Sequence, residues 1–172
     1  GEKPHYFELK GVDNKLYKFE SSIRKNGVLI MFICNHCPYV KAVIKDIVND
    51  ANTLKNQGVE TIAIMSNDTK NFPDDSFDKM REFSKINKFQ FPYLIDETQD
   101  VAKKYGAVCT PDFFGYNKNL ELQYRGRIRE LKNLKPVNTK ESDLLSAMKM
   151  IVKTGQGPKN QTPSMGCNIK WI

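Results

Sequence analysis

Apolar positions along the chain follow a few distinct rhythms, and each rhythm predicts an element. Phe7 to Phe19 alternates apolar and polar residues around Gly11-Val12-Asp13-Asn14, which predicts an N-terminal β-hairpin. Gly27 opens the unbroken apolar run Val28-Leu29-Ile30-Met31-Phe32-Ile33. A continuous apolar strand is buried on both faces, as in a parallel sheet. After Cys37, apolar residues recur at Val40, Val43, Ile44, Ile47, Val48, Ala51 and Leu54. Steps of three and four predict an amphipathic helix. Pro38 suits its first turn, where no N–H donor is needed, and Gln57-Gly58 ends it. Val59 to Met65 reads as a second buried strand, completing a βαβ unit.

Beyond it, Asn67 to Asp75 is a polar loop with Pro73, and Asp75 or Ser76 caps a helix bearing Phe77, Met80 and Phe83. Phe91 to Ile95 is strand-like. A short helix carries Val101, Ala102 and Tyr105 and stops at Gly106. Phe113 to Tyr116 and Leu120 to Arg125 flank the turn Asn117-Lys118-Asn119. Thr139 is expected to cap a last helix with Leu144, Leu145, Met148, Ile151 and Val152 on one face.

The segment from Thr154 to Ile172 is rich in Gly, Pro and Asn, which favours disorder. Its end, Cys167-Asn168-Ile169-Lys170-Trp171-Ile172, is apolar enough to dock. Burying a large aliphatic side chain stabilises by about 1.5–3 kcal/mol. Ordering a residue costs about 1–2 kcal/mol. Ile169, Trp171 and Ile172 can therefore hold the last few residues, with Thr154 to Gln161 a looser tether and Gly166 a sharp turn before Cys167. The expected organisation is one domain over residues 1–153, with 154–172 as its tail.

Composition narrows the class. A length of 172 residues with 40% hydrophobic and 27% charged positions suits a soluble α/β domain. No apolar run approaches the ~20 residues of a membrane span. The net charge is +7, but the lysines are interleaved with acids, and the densest stretch, Arg125 to Lys135, includes Glu130. A solvated basic surface is expected rather than a nucleic-acid or membrane partner. Residues 1–25 lack the apolar core of a signal peptide, so a cytoplasmic location is expected. The chain opens on Gly1, which leaves a removed upstream signal open.

Candidate chemistry sits in four cysteines at 34, 37, 109 and 167. In a strand-helix setting, Cys34-Asn35-His36-Cys37 is a redox pair rather than a staple. A helix start just after Cys34 would turn free N–H groups toward its sulfur and favour the thiolate. Cys37, one turn further in, would resolve a mixed disulfide. His36 would stabilise the Cys34 thiolate. That stabilises the reduced form and makes the disulfide a better oxidant. No metal is expected: structural zinc takes four ligands, usually as two close pairs, and Cys109 and Cys167 form no second pair. Asp68, Asp74 and Asp75 share a loop, but without calcium-loop spacing. Cys109 reads as a small buried residue or a redox partner, and Cys167 as an extra resolving cysteine or a packing residue.

The chain resembles the thioredoxin superfamily, and within it the AhpC/TSA redoxins. The resemblance rests on Phe32-Ile33-Cys34-Asn35-His36-Cys37-Pro38-Tyr39-Val40, Phe91-Pro92-Tyr93-Leu94, Tyr105-Gly106-Ala107-Val108-Cys109-Thr110-Pro111-Asp112-Phe113-Phe114, Tyr124-Arg125-Gly126 and Pro163-Ser164-Met165-Gly166-Cys167-Asn168-Ile169-Lys170-Trp171. It implies a thioredoxin fold, α/β with a central mixed sheet flanked by helices. It implies Cys34 as exposed nucleophile and Cys37 as resolving cysteine. Pro111 matches the cis-proline facing the pair, and Thr110 would offer backbone hydrogen bonds to an extended substrate.

Three departures refine this. Val28 stands where thioredoxins bury an aspartate, and Ile33 where they carry Trp. Met31 and Cys34 stand where the peroxide-binding motif would need Thr or Ser. The reading is a thiol-disulfide oxidoreductase without a bound cofactor, acting on a disulfide-containing protein or small thiol and served by some electron donor. An atypical thiol peroxidase and a non-catalytic binding module are the alternatives.

Overall fold

Alternation over the first twenty residues produces two short strands, β1 (Glu8–Gly11) and β2 (Leu16–Lys18), paired antiparallel. The apolar run becomes β3 (Gly27–Phe32), buried throughout. Helix α1 (Pro38–Lys55) follows, then β4 (Val59–Met65), α2 (Phe77–Ile86), β5 (Tyr93–Ile95) and α3 (Asp100–Tyr105). The remainder comprises β6 (Cys109–Thr110), β7 (Asp112–Tyr116), β8 (Leu122–Gly126), β9 (Leu131–Lys132), β10 (Lys135–Pro136), α4 (Asp143–Thr154) and β11 (Cys167–Asn168). This architecture comes from a computed structural model that describes residues 1–172.

Seven strands form one mixed sheet in the order β2-β1-β5-β4-β3-β7-β8. β3, β4 and β5 run parallel, and β7 and β8 add antiparallel on the other side of β3. Side chains of β3 alternate between the two faces. Leu29 and Met31 join α1, α4 and Met80 of α2, while Val28, Ile30 and Phe32 pack with Phe7, Phe19 and α3. Both faces are therefore apolar, which is why the run shows no alternation. No helix is long and apolar enough to cross a membrane.

Several local expectations need correction. Thr139 does not cap the last helix. Ser142 does: its Oγ accepts from the Leu145 amide at 3.0 Å and donates to Asp50 Oδ2 at 2.5 Å. A residue satisfied in both directions wins the cap over an exposed one. Ser76, not Asp75, caps α2. The pair β9–β10 inside the basic stretch was not anticipated.

The tail is docked along its length, but only one of the three expected anchors is buried. Ile169 is buried, whereas Trp171 is 43% and Ile172 83% exposed. Main-chain bonds hold it instead. β11 pairs antiparallel with β6, Cys167 opposite Thr110. Asp68 N donates to Lys170 O at 2.8 Å, Lys170 N to Asn67 Oδ1 at 2.9 Å and Ile172 N to Gln99 Oε1 at 3.0 Å. Upstream, Gly157 and Gln161 bond Gln123, so residues 154–161 are no loose tether. Gly166 makes no left-handed turn. A Cβ there would lie 2.0 Å from the Thr110 carbonyl oxygen, so its role is close approach.

Candidate active site

β3 ends on Phe32 and delivers Cys34 just past the sheet edge. Asn35 and His36 bridge to Cys37, and α1 begins only at Pro38, with Cys37 at the N-cap. This shifts the chemistry by one turn. The residue at the helix start is Cys37 rather than Cys34, and its carbonyl oxygen accepts from the Val40 and Lys41 amides at 3.1 and 3.0 Å while its sulfur makes no capping bond.

Two long-range elements close the site. The Thr110–Pro111 bond is cis. Thr110 Oγ1 lies 3.5 Å from Cys34 Sγ, and Cys37 Sγ is 3.3 Å from the Thr110 carbonyl oxygen. Cys167, carried by β11, puts its Sγ 2.8 Å from Cys37 Sγ. Cys34, Cys37 and Cys167 are thus brought together, all as free thiols. Cys109 is not brought in. It is half-buried with its Sγ toward the carbonyls of Pro111 and Ser164, and burial pushes its thiol up to about 11.

Ionisation departs from the sequence expectation. Cys37 is drawn down to about 4, because the Cys34 thiol hydrogen-bonds to it strongly enough to outweigh burial. The Cys167 thiol, the Val40 amide and Thr110 add to the effect. The Thr110 carbonyl favours the thiol form instead. Cys34 moves far upward, first through that shared proton with Cys37, then through burial and the nearby Asp75 carboxylate. Cys34 is also only 1% exposed. The expectation of an exposed Cys34 is therefore overturned: both sulfurs of the pair are buried, and the docked tail lies against Cys37. Cys167, half-buried, is pushed up to about 11 by burial and by the Cys37 sulfur.

His36 does not hydrogen-bond to Cys34 either. Its Nδ1 sits 2.7 Å from Asp75 Oδ2, off the line of an aligned hydrogen bond, and its ring stacks parallel to Phe72. Asp75, which the sequence offered only as a helix cap or as one of three loop acids, meets the cysteine motif. It is fully buried and accepts from the Asn35 amide at 2.8 Å and from Asn67 Nδ2 at 2.9 Å. Asn67 in turn accepts from Lys170, so one network links tail, loop and cysteine motif. Fully buried Tyr93 donates to Asn35 Oδ1 at 2.7 Å and fixes the motif from β5. One signal existed: two cap candidates precede a single helix, and Ser76 suffices, leaving Asp75 surplus.

A buried carboxylate therefore does reach the pair. It comes from the loop before α2, while Val28 packs on the opposite face of the sheet. One sulfur, nitrogen or oxygen atom from each of Cys34, His36 and Asp75 lies within 4.8 Å of the others. These donor types suit a borderline-soft cation, but the set is three where a closed zinc site takes four. Asp68 turns instead to Lys70 and Asn71, so the three loop aspartates do not converge. Thr110 no longer offers its backbone edge to a substrate while β11 occupies it. Beside that edge lies a cleft of about 340 Å³ lined by Tyr39, Pro111, Arg129, Leu131 and Met165 among others.

The profile described as AhpC/TSA family matches residues 1–131. Comparison with curated proteins gives no match. Among solved structures, an uncharacterized conserved protein from Geobacillus kaustophilus is 37% identical with a TM-score of 0.94, over 100% of this chain and 92% of its own. A hypothetical protein from Sinorhizobium meliloti is 34% identical with a TM-score of 0.92, over 100% and 94%. More distantly, a putative thioredoxin from Neisseria meningitidis is 19% identical with a TM-score of 0.67, over 90% and 93%. The fold is the thioredoxin fold, with its central mixed sheet flanked by helices.

Proposed function

Because this chain belongs to the AhpC/TSA family of thioredoxin-like redoxins, we propose that it is a thiol-disulfide oxidoreductase working through the Cys34–Cys37 pair. The observation that carries this reading is geometric: the pair sits between β3 and α1 with Thr110 Oγ1 3.5 Å from Cys34 Sγ and the Thr110 carbonyl oxygen 3.3 Å from Cys37 Sγ.

In the oxidised pair, a substrate thiolate attacks Cys34 Sγ. The Cys34–Cys37 bond breaks and its electron pair leaves on Cys37, the better leaving group because its thiolate is stabilised. A second substrate thiolate then attacks the substrate sulfur of the mixed disulfide. Substrate leaves as a disulfide, and Cys34 takes up a proton. Two electrons have passed from two substrate thiols to the pair. Run backwards, Cys37 resolves the mixed disulfide and a substrate disulfide is reduced. Stabilising the Cys37 thiolate stabilises the reduced pair, so the oxidising direction is favoured. Asp75 positions the motif through Asn35, and its charge sets how readily Cys34 ionises. The substrate meets Cys34 once the tail has left β6, and an extended segment can then take the vacated Thr110 edge by strand addition. Distant fold neighbours described as disulfide oxidoreductases are in keeping with this chemistry.

The test is oxidation of a reduced dithiol peptide by stoichiometric oxidised protein. Wild type should form the peptide disulfide, and Cys34→Ser and Cys37→Ser should not. Equal turnover by Cys37→Ser would refute the reading. A thiol peroxidase is the second reading, favoured by membership of the AhpC/TSA family. Hydroperoxide consumption faster than dithiol oxidation would select it.

A further inference from the structure

The Cys34–Cys37 chemistry leaves Cys167 unused, although its sulfur is the one nearest Cys37 across the chain. A short β ladder sets that position: Cys167 lies opposite Thr110, and Asn168 opposite Cys109. Gly166 lets the two backbones touch, and Ser164 Oγ donates to the Pro111 carbonyl at 2.6 Å. The tail thus lies on β6 as an added strand, and it presents a cysteine to the pair as an extended substrate would. Cys34 and Cys37 are buried, whereas Cys167 is only partly so.

We propose that Cys167 is a third redox cysteine, which takes the disulfide from the buried pair and presents it at the surface. The proposal rests on the Cys34–Cys37 reading and adds one exchange step. Cys167 loses its proton and its sulfur attacks Cys37 Sγ. A Cys37–Cys167 bond forms, the Cys34–Cys37 bond breaks, and the released Cys34 sulfur takes up the proton. The chain stays oxidised by two electrons throughout, so no outside oxidant is consumed. An external thiolate then attacks Cys167 Sγ and Cys37 leaves as thiolate; a second external thiolate attacks the external sulfur of the mixed disulfide, so that an external disulfide departs and Cys167 takes up a proton. The same steps reversed let an external disulfide oxidise the pair while the tail stays docked.

Position makes the internal step possible. Cys37 is common to both disulfides: Cys34 is its partner in the motif, and the Cys167 sulfur lies 2.8 Å from its own. Cys167 also packs against the core, but packing alone would not require the 2.8 Å contact between its sulfur and that of Cys37.

The experiment is disulfide mapping after equilibration with glutathione disulfide, acid quench and alkylation. Cys34→Ser, with Cys34→Ala as a companion, should yield the Cys37–Cys167 linked peptide. Cys167→Ser should yield only the Cys34–Cys37 link. In stopped-flow reduction by glutathione, oxidised Cys167→Ser should react at least about fivefold more slowly than wild type, because its disulfide is covered. Reduction of Cys167→Ser at the wild-type rate would overturn the relay. So would glutathione adducts without a Cys37–Cys167 link in both Cys34 variants. Failure of the underlying reading looks different: Cys167→Ser would then form no Cys34–Cys37 link at all.

Discussion

At the scale of single residues, the site turns on what surrounds each sulfur of the pair. Cys34 and Cys37 are chemically identical and three positions apart, yet one is driven up and the other down. The difference lies in neighbours: an amide and two thiols around Cys37, a carboxylate beside Cys34. Far-ultraviolet thiolate absorbance of the reduced protein should therefore titrate with a midpoint near 4, and Cys37→Ser should abolish that step. A midpoint near the ordinary cysteine value would show Cys37 to be unassisted. Asp75 places negative charge beside the pair and so disfavours its thiolate form. Asp75→Asn should raise the reduction potential measured in glutathione buffers, on the order of 30 mV for each pKa unit relieved. A lower potential would mean that Asp75 stabilises the reduced pair rather than opposing it.

Elements bring these residues together through contacts that single side chains decide. Ser142 satisfies both the start of α4 and the buried Asp50 of α1, whose carboxyl is raised to about 6 chiefly by burial. Ser142→Ala removes a cap worth about 1 kcal/mol and leaves a buried acceptor unpaired, at about 1–3 kcal/mol. Denaturant unfolding should show a loss of roughly 2 kcal/mol or more. A change below half a kilocalorie, on the order of a neutral surface substitution, would make the pair incidental. At β11 the determinant is an absent side chain. Gly166→Ala drives a Cβ into the Thr110 carbonyl oxygen. The ladder should open, so the Ile169 amide, now bonded to Val108 O at 3.0 Å, should exchange with solvent much faster. Unchanged protection would mean the tail tolerates a shifted register.

For the whole molecule, the buried thiolate couples redox state to stability and pH. The folded pKa of Cys37, about 4, lies below its ordinary value of 9.0. Between these values the unfolded chain holds a proton that the folded one has released, so stability rises with pH. The contribution is complete above about 9 and is lost as pH falls through about 4. Under reducing conditions, the stability advantage of wild type over Cys37→Ser should grow between pH 4 and pH 8. Asp50 works in the opposite sense between about 4 and 6, but it is common to both proteins and cancels in the difference. A pH-independent difference would place the low pKa in doubt.

Sequence periodicity was enough to determine the elements of the sheet and its covering helices. β3, α1 and β4 follow from short-range patterns of apolar residues, because burial on a strand or a helix face repeats every two or three to four positions. The cysteine pair was legible for the same local reason, as four adjacent residues between a strand and a helix. Short-range rules failed where partners lie far apart in the chain. Asp75 looked like a cap until Asn35, forty positions away, proved to donate to it. Trp171 and Ile172 looked like anchors, yet the tail is held by backbone hydrogen bonds, which carry no hydropathy signal. Which cysteine holds the charge, and whether Cys167 meets the pair, depended on where α1 starts and on which edge the tail covers. Only the tertiary structure could decide these, since a thiol's ionisation is set by groups within a few ångströms in space, whatever their distance along the chain.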